Sequence, residues 1–408
     1  MFAFMWALLL PVLWGCGGTW SPLGEPERPA DPPRSPAPIA ASVHTAPAPS
    51  AQERFCAWFG DRRGGVLYTG LSAFWSELRR AGGDPRADLR RSGPALIGRF
   101  DLDIERWLEP IDVSGPDEPD PSGVWDVLAH PNGRIYFTTF FGSAGFVEAD
   151  GGAVVRLPGA GPFLNELALG PDGHLLATRY SAPDERGSGS LVILDEDGGI
   201  VAEWRLRAGP GRRLAPKSVA YDPVWQEVWL TTDLLDERGE ALPAGPDAPR
   251  GATRPALVVG LDGIERTRIE TDEVQFVTFD AEGAGYLAVA SGEGGRRLSL
   301  AVFPATDPAR DLATAPRVLL DPAFPSRLDF VQEVRAGEDG RVLVARWSGH
   351  LHWVEALESG PGAVRTQRLP GPEDGGLFYT AVAHERRVCA SYCADVSVVC
   401  AQAPPLLR

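Results

Sequence analysis

Residues 165–180 read NELALGPDGHLLATRY, and residues 125–141 read WDVLAHPNGRIYFTTFF. Each is an apolar arm, a turn of the type Pro-Asp/Asn-Gly, and a second arm rich in Tyr, Val, Leu and Thr. Glycine in the turn supplies the positive φ of a tight hairpin. Apolar residues at alternate positions in the arms mark half-buried strands. The pattern recurs at 217–233 (KSVAYDPVWQEVWLTTD), 275–291 (QFVTFDAEGAGYLAVAS) and 332–347 (QEVRAGEDGRVLVARW). Weaker copies occupy 379–392 (YTAVAHERRVCASY) and 55–71 (FCAWFGDRRGGVLYTGL). A further strand pair follows each hairpin, as in 143–157 and 191–206, so a unit holds about four strands. Turn glycines 133 and 173 are 40 residues apart, and 283 and 340 are 57 apart. Units of this kind and period predict blades of a propeller. A stack of sandwiches is the competing architecture, but no linker interrupts residues 53–403. The expected fold is therefore all-β, a single β-propeller of six or seven four-stranded blades. Six would result if the N- and C-terminal pieces shared a blade. Ser72–Arg91 breaks the pattern and reads as a helical or loop insertion in the first blade, and Glu237–Thr253 reads as the most evident insertion elsewhere.

The chain has 408 residues, 47 of them glycine and 38 proline, with two methionines. That mix suits short strands and frequent turns rather than long helices. The net charge of −16 argues against nucleic acid as a partner, which needs a basic face. Lys217 is the one lysine among the 39 basic residues.

Residues 2–14, FAFMWALLLPVLW, form an uncharged apolar run that is short for a membrane span and fits a signal-peptide core, although no basic residue precedes it. It ends in Leu13-Trp14-Gly15-Cys16-Gly17-Gly18, which resembles the bacterial lipobox. The resemblance implies that Cys16 is lipidated, that the membrane partner is reached through this anchor, and, from Gly17, that the destination is the outer membrane. The anchored protein would face the periplasm or the cell surface. Residues 19–52 hold nine prolines and almost no aliphatic pattern, a composition that reads as a disordered tether. The expected division is a signal peptide over 1–15, a lipid-anchored linker over 16–52, and the propeller over 53–408.

Cys56, Cys389, Cys393 and Cys400 remain after lipidation, and an exported chain predicts two disulfides among them. A turn at Ala394-Asp395 would set Cys389 opposite Cys400 and leave Cys56 for Cys393. Four cysteines allow three connectivities. A bridge from Cys56 to the last blade would staple the ring. Without a Cys-x₂-Cys spacing, zinc is the weaker reading.

No G-x-S-x-G elbow, HExxH or Walker A loop is present. His350 and His352 stand two apart on one strand and share a face, so they are a candidate metal pair. A positional set is more informative. At the start of each inner strand, seven or eight residues before the turn glycine where one is present, stand Asp126, Asn165 and Glu166, Lys217 and Ser218, Gln275, Gln332 and Glu333, and Thr380. In a propeller these strand starts ring one mouth of the central channel, where converging polar groups would hold a ligand or metal. The copy FLNELALGPDGHLLAT resembles a strand of the SMP-30/gluconolactonase-like propellers, and also of NHL-type propellers that are not enzymes. For the former the resemblance implies a divalent metal held partly by the asparagine that Asn165 matches, while Glu166 replaces a glycine. Asp126, Asn165, Glu166 and Glu333 are the hard-oxygen candidates, and calcium is the cation they would suit.

The leading expectation is a cell-envelope lipoprotein whose propeller binds a small-molecule ligand or an envelope protein. The alternatives are a calcium-dependent lactonase or hydrolase working at the ring, and an outer-membrane assembly factor docking through the 237–253 insertion.

Overall fold

Each hairpin read from the sequence forms the two inner strands of a four-stranded antiparallel sheet, and the structure contains seven such sheets. The computed structural model describes residues 39–45 and 56–405, apart from 73–93, 115–122, 140–143, 182–186, 238–241, 243–253, 292–296, 307–310, 321–330, 371–377 and a few isolated positions. The innermost strands, in blade order one to seven, are Cys56–Arg63, Val124–Ala129, Leu164–Leu169, Arg212–Asp222, Glu273–Phe279, Val331–Ala336 and Phe378–His384. Each lies against the next, and the seventh lies against the first, so the sheets ring a central channel. The chain is an all-β propeller of seven blades.

The turns explain why some copies were weak in the sequence. Gly133, Gly173, Gly283 and Gly340 all take the positive φ that the hairpin requires. The fourth and seventh blades lack that glycine, and Gln226 (φ 54°) and Glu385 (φ 51°) adopt the strained conformation instead. Between blades the alternating apolar residues interlock. Tyr136 and Phe146 of the second blade pack on Leu175 and Val192 of the third, and Ala288 and Leu300 of the fifth pack on Val342 and Val344 of the sixth.

The boundary of the expected linker needs correction. Residues 41–45, assigned to the 16–52 tether, form a strand that pairs with Ser397–Gln402 as the outermost strand of the seventh blade. The last sheet is thus three C-terminal strands and one N-terminal strand. The two ends of the chain do share a blade, yet seven blades result, because residues 56–72 already begin a separate one. Pairing here closes the ring through hydrogen bonds between segments about 350 residues apart, which local pattern cannot reveal. Glu105, on a turn of the first blade, locks the seam. It accepts from Ser42 Oγ at 2.8 Å, meets His44 Nε2 at 2.7 Å, and pairs with Arg387 of the seventh blade.

Cys389 and Cys400 face each other in register and are joined by a disulfide, as their spacing predicted. Cys393 is also disulfide-bonded. The side chain of Cys56 lies outside the described residues, as do Cys16, the signal segment, the expected insertion at 73–91 and nearly all of 238–253.

Candidate binding site at the channel mouth

Every innermost strand carries a register shift, near its start in six blades and mid-strand in the fourth. In the third blade Leu164 pairs with Arg179 and Leu167 with Ala177, so Asn165 and Glu166 oppose Thr178 alone. A bulge of this kind re-aims side chains and frees backbone groups from the ladder. Hydroxyls on the second strand satisfy some of them. Thr178 Oγ1 accepts from Glu166 N at 3.0 Å, Thr231 Oγ1 from Ser218 N at 3.1 Å, and Ser391 Oγ from Thr380 N at 3.0 Å.

The shifts set out two rings of side chains. The first position of each bulge holds Trp58, Trp125, Asn165, Lys217, Gln275, Gln332 and Tyr379. The second holds Phe59, Asp126, Glu166, Ser218, Phe276, Glu333 and Thr380.

Much of the second ring clamps each blade to the next. Asp126 Oδ2 accepts from Leu167 N at 2.8 Å, and Glu166 accepts from Val219 N. Ser218 Oγ accepts from Val277 N at 3.4 Å, Glu333 Oε2 from Ala381 N at 2.9 Å, and Thr380 Oγ1 from Gly60 N at 2.9 Å. Two junctions use a neighbouring residue instead: Gln275 Oε1 accepts from Val331 N at 2.8 Å, and Asp61 Oδ2 from Ala129 N at 3.1 Å. All seven junctions are closed by one side-chain acceptor and one backbone N–H. Such bonds prevent a buried donor from going unmet, which would cost about 1–3 kcal/mol each.

The first ring divides into two arcs. Blades seven, one and two supply aromatics: Trp58 packs at a tilt against Trp125 and Tyr379, with centroids 4.7 Å apart in both pairs. Phe59 touches Trp125 and Tyr379 at 5.7 and 5.4 Å. Blades three to six supply Asn165, Lys217, Gln275 and Gln332. Asn165 is 5% exposed, and its buried Oδ1 has no hydrogen-bond partner. Below the mouth, Arg335 of the sixth blade reaches past the seventh. Its guanidinium donates to Asp61 Oδ1 at 2.6 Å and to Gly60 O at 3.1 Å in the first blade, and it pairs with Glu333.

The acids of this region are shifted together. Burial pushes the Asp126 carboxyl up to about 7; N–H bonds from Leu167 and Val127 oppose the shift, and nearby Glu333 and Asp61 add to it. Burial holds Glu166 well above its ordinary range, reinforced by Asp126 and opposed by Lys217. Burial also raises Glu333, with Arg335 opposing. Lys217 Nζ lies 3.7 Å from Asp233 Oδ1, which also meets Arg254 at 3.2 Å.

All seven candidate ligand-binding residues read from the sequence stand on inner strands at or beside the bulges. The sequence reading missed the aromatic arc and the Asp61–Arg335 bridge. The aromatic residues carried a signal nonetheless, since they occupy the same register before the turn. Asp126, Glu166 and Glu333, the acids among the four candidate calcium ligands, do not bring three ligand atoms within 4.8 Å of one another, as two other described groups do. Those groups are His44–Glu105–Cys400, in which Cys400 is already in a disulfide, and Asp103–His384–Glu385. His350 and His352 do share a face, but they are buried within the sixth blade. Nδ1 of each meets a hydroxyl, Ser348 Oγ at 2.7 Å and Thr366 Oγ1 at 3.0 Å. Burial, then Arg346 and Arg368, pulls His350 down to about 3.

No family model matches the chain, and no curated protein matches it. Solved structures do. One is a catalytically inactive histidine-to-alanine variant of virginiamycin B lyase from Staphylococcus aureus with quinupristin: TM-score 0.56, 9% identity, 88% of this chain and 99% of that one covered. Another is the extracellular domain of a putative hybrid two-component system from B. thetaiotaomicron: TM-score 0.54, 11% identity, 89% of this chain and 41% of that one covered. Both likenesses are of fold. The six histidines of the present chain are His44, His130, His174, His350, His352 and His384, and none stands in either ring.

Proposed function

We propose that this chain is a cell-envelope lipoprotein whose propeller is a binding module, with its ligand seated at the ringed mouth of the channel. The observation that carries the reading is the divided first ring. An aromatic arc faces a polar arc, and the polar arc includes a buried acceptor, Asn165 Oδ1, that the protein leaves unpaired. Sites for small ligands combine apolar walls with a few placed polar groups in this way. Because most of the second ring, with Gln275 of the first, is occupied in joining the blades, the rest of the first ring is the part free to vary with ligand. The lactonase reading is supported less well, since the three candidate acids each serve a backbone N–H of the next blade. The test is a thermal-shift and tryptophan-fluorescence screen of the full-length chain against small molecules of varied charge. A hit is expected to be lost in Asn165→Ala and Trp125→Ala, and hits indifferent to both substitutions would refute the mouth as the site. For the envelope reading, fatty-acid labelling is expected in the wild type and not in Cys16→Ser, and equal labelling of both would end it.

A further inference from the structure

We propose that the mouth takes an organic cation, a ligand carrying an ammonium group, held between the aromatic arc and the acids of blades two, three and six. This rests on reading the mouth as the binding site. Three independent features of the site are complementary to positive charge and N–H donors.

The first is hydrogen bonding. Asn165 Oδ1 is a buried acceptor without a partner, and the bonded oxygens of Asp126 and Glu166 and Oε2 of Glu333 each keep a lone pair beyond the N–H they accept. An ammonium group is all donor.

The second is charge. Asp61, Asp126, Glu166 and Glu333 interact electrostatically with one another, and the cations that face them are Lys217 and Arg335. Arg335 is committed to Asp61 and Glu333, and Lys217 leans to Asp233. Two acids, Asp126 and Glu166, are left without an ion-pair partner among the described residues. Burial raises both carboxyls and the neighbouring acids add to the shift: protonation relieves that strain in the empty site, and a bound cation would relieve it in the filled one.

The third is the aromatic wall. Trp58, Trp125, Phe59 and Tyr379 form one continuous surface of tilted and edge-on rings, of which Trp125 and Phe59 are half-buried rather than sealed. Ring faces attract cations through their quadrupole, and tryptophan does so best. An anion would meet the excess acids, and a neutral ligand would leave their charge unanswered. A bare divalent ion would need the carboxylates to converge, which Asp126, Glu166 and Glu333 do not do.

The test uses the full-length chain and its tryptophan fluorescence at about pH 8, where Asp126 is ionised. The probes are choline, its neutral isostere 3,3-dimethyl-1-butanol, putrescine and benzoate. Choline, whose quaternary nitrogen has no N–H, reads the charge and the aromatic wall, and putrescine reads the hydrogen bonds as well; at least one is expected to quench saturably, with the neutral alcohol at least about tenfold weaker. Glu166→Gln, which keeps the shape and removes the charge, is expected to weaken the cation about tenfold. Should that variant not fold, the wild type alone decides. Its cation affinity must tighten from about pH 6 to about pH 8 as Asp126 loses its proton among Asp61, Glu166, Glu333, Lys217 and Arg335, and a flat profile overturns the proposal. Equal binding of alcohol and choline, or binding of benzoate alone, overturns the cation while leaving the mouth as a binding site. If no probe of any charge alters fluorescence or melting, both readings fall.

Discussion

The aromatic and polar arcs of the mouth are built on the same backbone and differ in what they do with it. In both, a bulge in the inner strand presents two side chains in succession. On the polar side the second of these, Glu166 or Ser218, reaches to the N–H of the next blade. On the aromatic side Phe59 cannot, and Asp61, two residues later, makes the bond in its place. The first blade also gains an aromatic cluster that ties it to its neighbours on both sides through Trp58. Polar clamps thus close the junctions of both arcs, and the aromatic arc adds ring packing to them. The difference shows that the bulge is the fixed element, and the residues on it divide between holding the ring and serving the site.

Substitutions can break this contrast. The largest effect is expected from Trp58→Ala. Trp58 is 1% exposed at the centre of the aromatic arc, and removing so large a buried ring costs roughly 3–5 kcal/mol. Urea denaturation should report it, and a loss below about 1 kcal/mol would mean that ring packing does not hold this arc.

On the polar side the expected signature is pH. Asp126 titrates at about 7 in the folded chain against 3.8 ordinarily, so between those values the folded state binds the extra proton. Its contribution is fully present below about pH 4 and is lost as pH rises toward 7, at most about 4 kcal/mol in all. Glu166 and Glu333 are raised and act in the same direction. Glu105 at the seam is lowered, so its contribution is lost on the acid side as pH falls below its ordinary range. Stability should therefore fall between about pH 4 and pH 7, and the slope should flatten in Asp126→Asn. An unchanged slope in that variant would detach the pH response from the mouth.

The smallest effects discriminate among the clamps. Thr380→Val leaves Gly60 N without its 2.9 Å acceptor at a buried site and should cost about 1–3 kcal/mol. Ser218→Ala removes a 3.4 Å bond and should cost less than about 1 kcal/mol. Similar losses in both would show that bond length does not rank the junctions.

The candidate site was half legible in the sequence. Register before the turn glycine located Asp126, Asn165, Glu166, Lys217, Gln275, Gln332 and Glu333, because strand position is a local property. The same register pointed to Trp58, Trp125 and Tyr379, but a search for polar residues passes over aromatic ones. The clamps were not legible. Asp126 accepts from Leu167, 41 residues on, and Arg335 bonds Asp61, 274 residues away, and nothing in either segment names the other.

The hairpin arms, the turn glycines and the facing of Cys389 with Cys400 followed from the sequence by itself, because alternation, positive φ and short loops act over a few residues. Only the tertiary structure decided how the ring closes, with Ala41–Thr45 taken from an apparent tether into the seventh blade. It alone decided that the mouth is divided, and that two of its acids lack an ion-pair partner among the described residues. Those outcomes depend on which strands meet across the whole chain. They also depend on how much water the assembled blades exclude, and burial of that kind is a property of the closed ring rather than of any one repeat.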